Sequence, residues 1–236
     1  MPSHPALIAC SHGTHFAEGR EAIHALLALL KLPGTRVAEA FVDVQEPSVD
    51  EVVAAMAGPA VIVPLLLSAG FHTGVDIARA ARSRGGVVAT DPLGPHPLLA
   101  EVLSARLDEA GLEARDHVVL AAAGSSRPEA AVHVERMRDL LAARIPNPVT
   151  VGYAAGADPR IGAAVQTARA AGAGRVVAAS YVLAPGHFAN VVAAAGADVV
   201  TAPLAPDPRI ADVIAERYRA AARLLETAPD LSVTHL

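Results

Sequence analysis

The chain has 236 residues, 53% hydrophobic and 18% charged, with no Trp and a formal net charge of −5 from 24 acidic against 19 basic side chains. That composition supplies an ample core, but it offers neither the Lys/Arg runs that neutralise phosphates nor the aromatic platforms on which bases stack, so nucleic-acid binding is not expected. The single cysteine, Cys10, excludes an internal disulfide and a CxxC metal site and points to a reducing compartment. The N-terminus lacks a basic segment followed by a long apolar run, and no apolar stretch reaches the roughly 20 residues of a membrane span, so a cytoplasmic location is expected.

Ala6 to Cys10 is a short apolar run closed by Ser11-His12-Gly13-Thr14, and Glu18 to Lys31 follows with Ile23, Leu26, Leu27 and Leu30 at helical spacing. Arg36 to Val42 predicts a second strand, followed by Asp43 to Pro47 and a helix with Ser48 as its N-cap. Val61 to Leu67 is a continuous apolar run of the kind buried on both faces of a parallel sheet. Gly70 breaks it, Gly74-Val75-Asp76-Ile77 opens an amphipathic segment, and His72 is placed in the turn between them. A fourth strand at Val87 to Thr90 and a helix to about Ala110 complete four βα units with short connections, which argues for a parallel sheet with helices on both faces.

Around Gly111 to Asp116 the pattern restarts, with strands expected at His117 to Ala123, Val149 to Ala154, Arg175 to Leu183 and Asp198 to Ala202, each followed by a helix. Gly13 matches Gly124, Phe41 matches Tyr153, Glu46-Pro47 matches Asp158-Pro159, His72 matches His187, and Pro92-Leu93 matches Pro203-Leu204. This is an internal duplication. The expected architecture is therefore α/β, two similar, open and mostly parallel domains, 1–113 and 114–236, facing a cleft. The copies differ where chemistry would sit, since His12 aligns with Ala123, Asp43 with Ala155 and Asp76 with Val191. The working site is accordingly expected in the first half.

Parallel strands put His12, Asp43, Glu46 and His72 on one edge of the sheet, where open α/β sheets bind ligands. Two imidazoles with a carboxylate suit a divalent first-row metal and leave positions open for substrate. The same residues would also serve as a turn histidine and as carboxylates near a helix dipole. His96, between two prolines at that edge, is a further candidate for the mouth, His15 a neighbour of the site, and Cys10 a small buried apolar side chain. Gly124-Ser125-Ser126 could hold an anion, but neither GxGxxG nor GxxxxGK[ST] occurs at the first turn, so dinucleotide and ATP sites are poorly supported.

From Leu7 to about Ala222 the chain resembles the class II chelatases of the sirohydrochlorin chelatase family, the CbiX and SirB type. The resemblance is carried by His12-Gly13-Thr14, by Ala40-Phe41-Val42-Asp43 with Glu46-Pro47-Ser48, and by Pro64-Leu65-Leu66-Leu67 through Gly70, His72 and Asp76-Ile77. It implies ATP-independent insertion of Fe2+ or Co2+, with Ni2+ a third metal, into sirohydrochlorin, by a monomer needing no cofactor beyond the metal substrate. Metal-handling histidines fall on His12 and His72, with Asp43 or Glu46 as the carboxylate, because Asp43 stands where the family usually has glutamate. Ser11, Gly13, Thr14, Ser68, Gly70 and His187 are the substrate-binding positions it suggests, and Arg79, Arg82 and Arg127 are candidates for the substrate carboxylates. Because the ligands must be deprotonated, activity is expected to fall towards acid pH. A non-catalytic tetrapyrrole or metal carrier is the competing reading.

Overall fold

A computed structural model describes residues 4–68 and 70–227; the side chains of residues 71–73, His72 included, lie outside that description, as does His235. Strand and helix alternate throughout. The first half comprises β1 (Ala6–Ser11), α1 (Ala17–Ala28), β2 (Val37–Phe41), α2 (Val49–Ala55), β3 (Ala60–Pro64), α3 (Phe71–Arg82), β4 (Val87–Ala89) and α4 (Pro97–Glu109). The second comprises β5 (His117–Ala122), α5 (Pro128–Ala142), β6 (Val149–Tyr153), α6 (Ile161–Ala170), β7 (Val176–Tyr181), α7 (His187–Ala193), β8 (Val199–Val200) and α8 (Pro208–Thr227). Each half forms one four-stranded parallel sheet, in the orders β2-β1-β3-β4 and β6-β5-β7-β8.

The apolar strands read as buried on both faces because both faces carry helices. On the first sheet Ala6, Ile8 and Cys10 point to an outer core with Val49 and Val53 of α2 and Ile77 and Ala80 of α3. Leu7 and Ala9, on the opposite face, join an inner core that runs through Leu99 and Leu103 of α4 and Ile210 and Ile214 of α8 into the second sheet. The final helices are exchanged: α8 packs on β3 of the first sheet, and α4 packs on β7 of the second. The inner helices therefore form one shared layer between the sheets. Arg106 of α4 donates to the carbonyl oxygens of Pro203, Leu204 and Pro206, and Tyr218 of α8 donates to that of Pro5 at 2.6 Å.

The duplication holds at the level of single hydrogen bonds. Phe41 N donates to Pro47 O at 3.0 Å, as Tyr153 N does to Pro159 O at 2.9 Å, and cis peptide bonds precede Pro47, Pro95, Pro159 and Pro206. Two expectations need correction. β3 ends at Pro64, and α3 begins at Phe71 with Gly70 as its extended N-cap, so His72 lies in the first turn of a helix rather than in a loop. Gly74, read as a helix opening, is an exposed residue inside α3 whose N–H reaches Gly70 O at 3.2 Å. The second correction follows from the same register. Leu93 N bonds Leu66 O as Leu204 N bonds Val182 O, and Gly70 caps α3 as Gly186 caps α7. His187 is thus the counterpart of Phe71, and Phe188 that of His72.

Candidate active site

Strand order sets where the crevice opens. From β1 the chain moves to β2 on one side, and β3 lies on the other side of β1, so the reversal of direction falls between β1 and β3. α1 packs on the inner face and α3 on the outer, which parts the two connections at this point. Ligands of open α/β sheets bind in such crevices. His12 follows β1 and His72 begins α3 after β3, so both predicted metal histidines flank the reversal.

The first turn is fixed by its backbone. Val42 N donates to Ser11 O at 3.0 Å and Asp43 N to His12 O at 3.1 Å, extending the β1–β2 ladder beyond the strands. Gly13 has φ +93°, and a Cβ there would overlap the Asp43 carbonyl oxygen, so only glycine lets the two loops approach this closely. Thr14 N donates to Gln45 Oε1 at 2.8 Å, while Arg20 donates to the Thr14 and His15 carbonyls at 3.3 and 3.0 Å. His12 and Asp43 stand exposed on this held backbone, and Ser11 is buried beneath them. Asp43 Oδ1 accepts from Val44 N at 2.8 Å. Val44 itself has φ +69°, a conformation that costs a β-branched residue about 1–3 kcal/mol.

The equivalent loops of the second half keep the geometry without the chemistry. Ala155 N donates to Ala123 O at 2.9 Å, Gly124 has φ +85°, and a Cβ on Gly124 would overlap the Ala155 carbonyl. Ala123 and Ala155 thus occupy the places of His12 and Asp43, and Gly156, at φ +68°, occupies that of Val44. Gln45, Arg20 and Val44 were missed from the sequence. For Val44 a signal existed, because its duplicate is a glycine.

Other candidates separate. Glu46 accepts from Ser48 N at 2.9 Å beside the capping box of Ser48 and Glu51, and it lines a groove with Arg36 and Glu39 along the edge strand. Ser68 and Gly70 line a cavity of about 250 Å³ between α3 and the end of β4, with Thr90 and Asp91. Arg79 is held by Asp50 at 2.6 Å and Asp76 at 2.8 Å, and Arg82 lies beside it in the last turn of α3. His96 is a helix cap: its Nδ1 accepts from Leu98 N at 3.1 Å, and its Nε2 lies 3.3 Å from Glu216. Ser125 Oγ accepts from Arg127 N at 3.2 Å in a local turn. Burial pushes the Cys10 thiol up to about 12, which suits a core side chain and not a ligand.

The second half closes over the same edge. Gly19 of α1 sits against the Pro185 carbonyl and Thr14 near Gly186, while Tyr181 donates to Leu67 O at 3.0 Å. His187 and Phe188 follow, both exposed, with their rings edge to face at 5.3 Å. Among the described residues no group of three or more His, Cys, Asp and Glu side chains comes together as a metal cage, and no helix is long and apolar enough to cross a membrane.

Two parallel α/β halves with exchanged terminal helices and a polar turn at one crevice define a chelatase-like fold. Solved structures agree: SirB from Bacillus subtilis with Fe3+ superposes with a TM-score of 0.76 at 19% identity, covering 94% of this chain and 97% of that one. The cobalt complex of SirB from Bacillus subtilis subspecies spizizenii gives 0.72 at 20% identity, with the same coverage of 94% and 97%. CbiX, the terminal enzyme for biosynthesis of siroheme in denitrifying bacteria, gives 0.65 at 19% identity over 92% of this chain and 99% of that one. No match was found among curated protein sequences. The CbiX family model matches residues 6–110 and again 117–221, and the chain belongs to that family.

Proposed function

We propose that this chain is a metal chelatase that inserts Fe2+ or Co2+ into sirohydrochlorin, without ATP or any cofactor beyond the metal substrate, and that it works as a cytoplasmic monomer. One observation carries the assignment of the site to the first half: two copies of the same hydrogen-bonded loop, of which only one holds a histidine and a carboxylate. Family membership and the metal-bound structures of similar fold support the reaction.

In this reading His12 and His72 receive the metal ion through neutral imidazole nitrogens. The macrocycle lies across the crevice, and the two pyrrole N–H protons leave as the metal enters, accepted by an imidazole or by Asp43. Of the two carboxylates, Asp43 is favoured, because its backbone is bonded directly to that of His12, whereas Glu46 sits farther along the loop at the start of α2. The tetrapyrrole would also meet Ser11, Gly13 and Thr14 of the first turn and His187 from the other half.

The test mixes metal-free protein with sirohydrochlorin and either metal and follows the absorbance spectrum. Turnover beyond one equivalent is expected, lowered at least tenfold in His12→Ala and in His72→Ala. Binding that stops at one equivalent would make the protein a carrier, and a His72→Ala protein with unchanged rate would remove that residue from the site.

A further inference from the structure

Aromatic residues are scarce here, with four Phe and no Trp, yet two of the Phe are spent on the surface at the crevice. Phe16, the N-cap of α1, is 41% exposed and lies against Gly186; Phe188, two residues beyond Gly186, is 36% exposed. Val44, also 36% exposed, stands over Gly13, the residue after His12. Each of the three differs from its duplicate. Phe16 corresponds to Arg127, the N-cap of α5, Phe188 to His72, and Val44 to Gly156.

Val44 is the most telling of these. The second half adopts the same backbone at this point with a glycine, which pays no steric cost at φ near +69°. The first half keeps an isopropyl group there, partly exposed over Gly13 and outside every core cluster. Strain retained where a strain-free residue serves the same turn marks a side chain with a use in the site.

We propose that Val44, Phe16 and Phe188 form an apolar rest for one face of the tetrapyrrole ring, holding it beside His12 with the two halves contributing together. The inference rests on the chelatase reading and names how its substrate is positioned. A flat conjugated macrocycle has a large apolar face that aromatic and branched side chains cover well, and a rest beside the metal histidine orients the pyrrole nitrogens towards the incoming ion. These are positioning residues, since none has an atom that could bind metal or take a proton.

The test measures sirohydrochlorin affinity without metal, by titration of its absorbance, together with KM and kcat for insertion and with urea unfolding. Val44→Gly is expected to leave stability equal or raised, because the strain is relieved, yet to weaken sirohydrochlorin binding and raise KM about five- to tenfold. Phe188→Ala is expected to behave alike in binding, while Phe188→Trp restores it, and Fe2+ or Co2+ binding is unchanged in every variant. Wild-type affinity in both Val44→Gly and Phe188→Ala would overturn the proposal and leave the chelatase reading standing. A wild-type protein that neither binds nor metallates sirohydrochlorin would remove that reading and the proposal with it.

Discussion

Gly13 is the residue on which the candidate site's backbone depends, and its duplicate makes the dependence measurable. Alanine at Gly13 or at Gly124 meets the same two obstacles, a positive φ and a carbonyl oxygen in the space its Cβ would fill. Both substitutions are expected to lower stability by about 1–3 kcal/mol in urea unfolding. Only Gly13→Ala should also displace His12 and Asp43 and abolish insertion, so equal activities in the two variants would contradict metal handling by the first half. At this scale His12 and Asp43 stood out because the sequence contains its own control, a second copy with Ala123 and Ala155 in their places, while Gly13 stood out because both copies keep it. The sequence did not separate Asp43 from Glu46, since both lie in one loop, and the bond of Glu46 to Ser48 N at the start of α2 is visible only in coordinates. Val44 shows the limit from the other side: its pairing with Gly156 signals an unusual backbone, but that a β-branched residue bears it is known only from its φ.

Helix starts were where the element boundaries shifted most. The apolar run to Leu67 reads as strand, but pairing with β1 stops at Pro64, and Gly70 then caps α3 four residues before the expected opening. Hydrophobicity reports burial, and Leu65 is buried just past the strand, where its N–H still donates to Cys10 O at 2.7 Å. Caps are also where the copies exchanged chemistry without changing shape: His96 caps α4 and Asp207 caps α8. Burial pushes the Asp207 carboxyl up, but the hydrogen bonds of Arg209 and the charges of Arg209 and Arg106 outweigh it and hold the group below the usual carboxylate range. A depressed carboxyl contributes stability above its unfolded value of about 3.9, and that contribution is lost as pH falls through the folded value. Asp207→Ala is accordingly expected to lose about 1 kcal/mol near neutral pH. The deficit should shrink as unfolding is repeated at more acid pH, below about 4; a deficit constant with pH would show that the charge plays no part.

The whole molecule differs from two domains joined by a linker, and nothing in the sequence pattern announces it. Periodicity gave four βα units per half and a parallel sheet for each, but which sheet a helix covers is decided by tertiary packing, and α4 and α8 each cover the other half's. Residues 1–113 expressed alone would leave the inner faces of Val61, Val63 and Leu65 without α8. They are expected not to form a folded monomer; a compact monomeric species with cooperative unfolding, seen by sedimentation and circular dichroism, would contradict the exchange. The exchange also bears on why the two halves belong in one chain. A single unit of this kind would have a sheet that its own last helix does not cover, and it would be complete only beside a second copy that lent one. With both copies in one chain the pairing is permanent, so the second crevice can hold Ala123 and Ala155 where the first holds His12 and Asp43 and still serve as a wall for it.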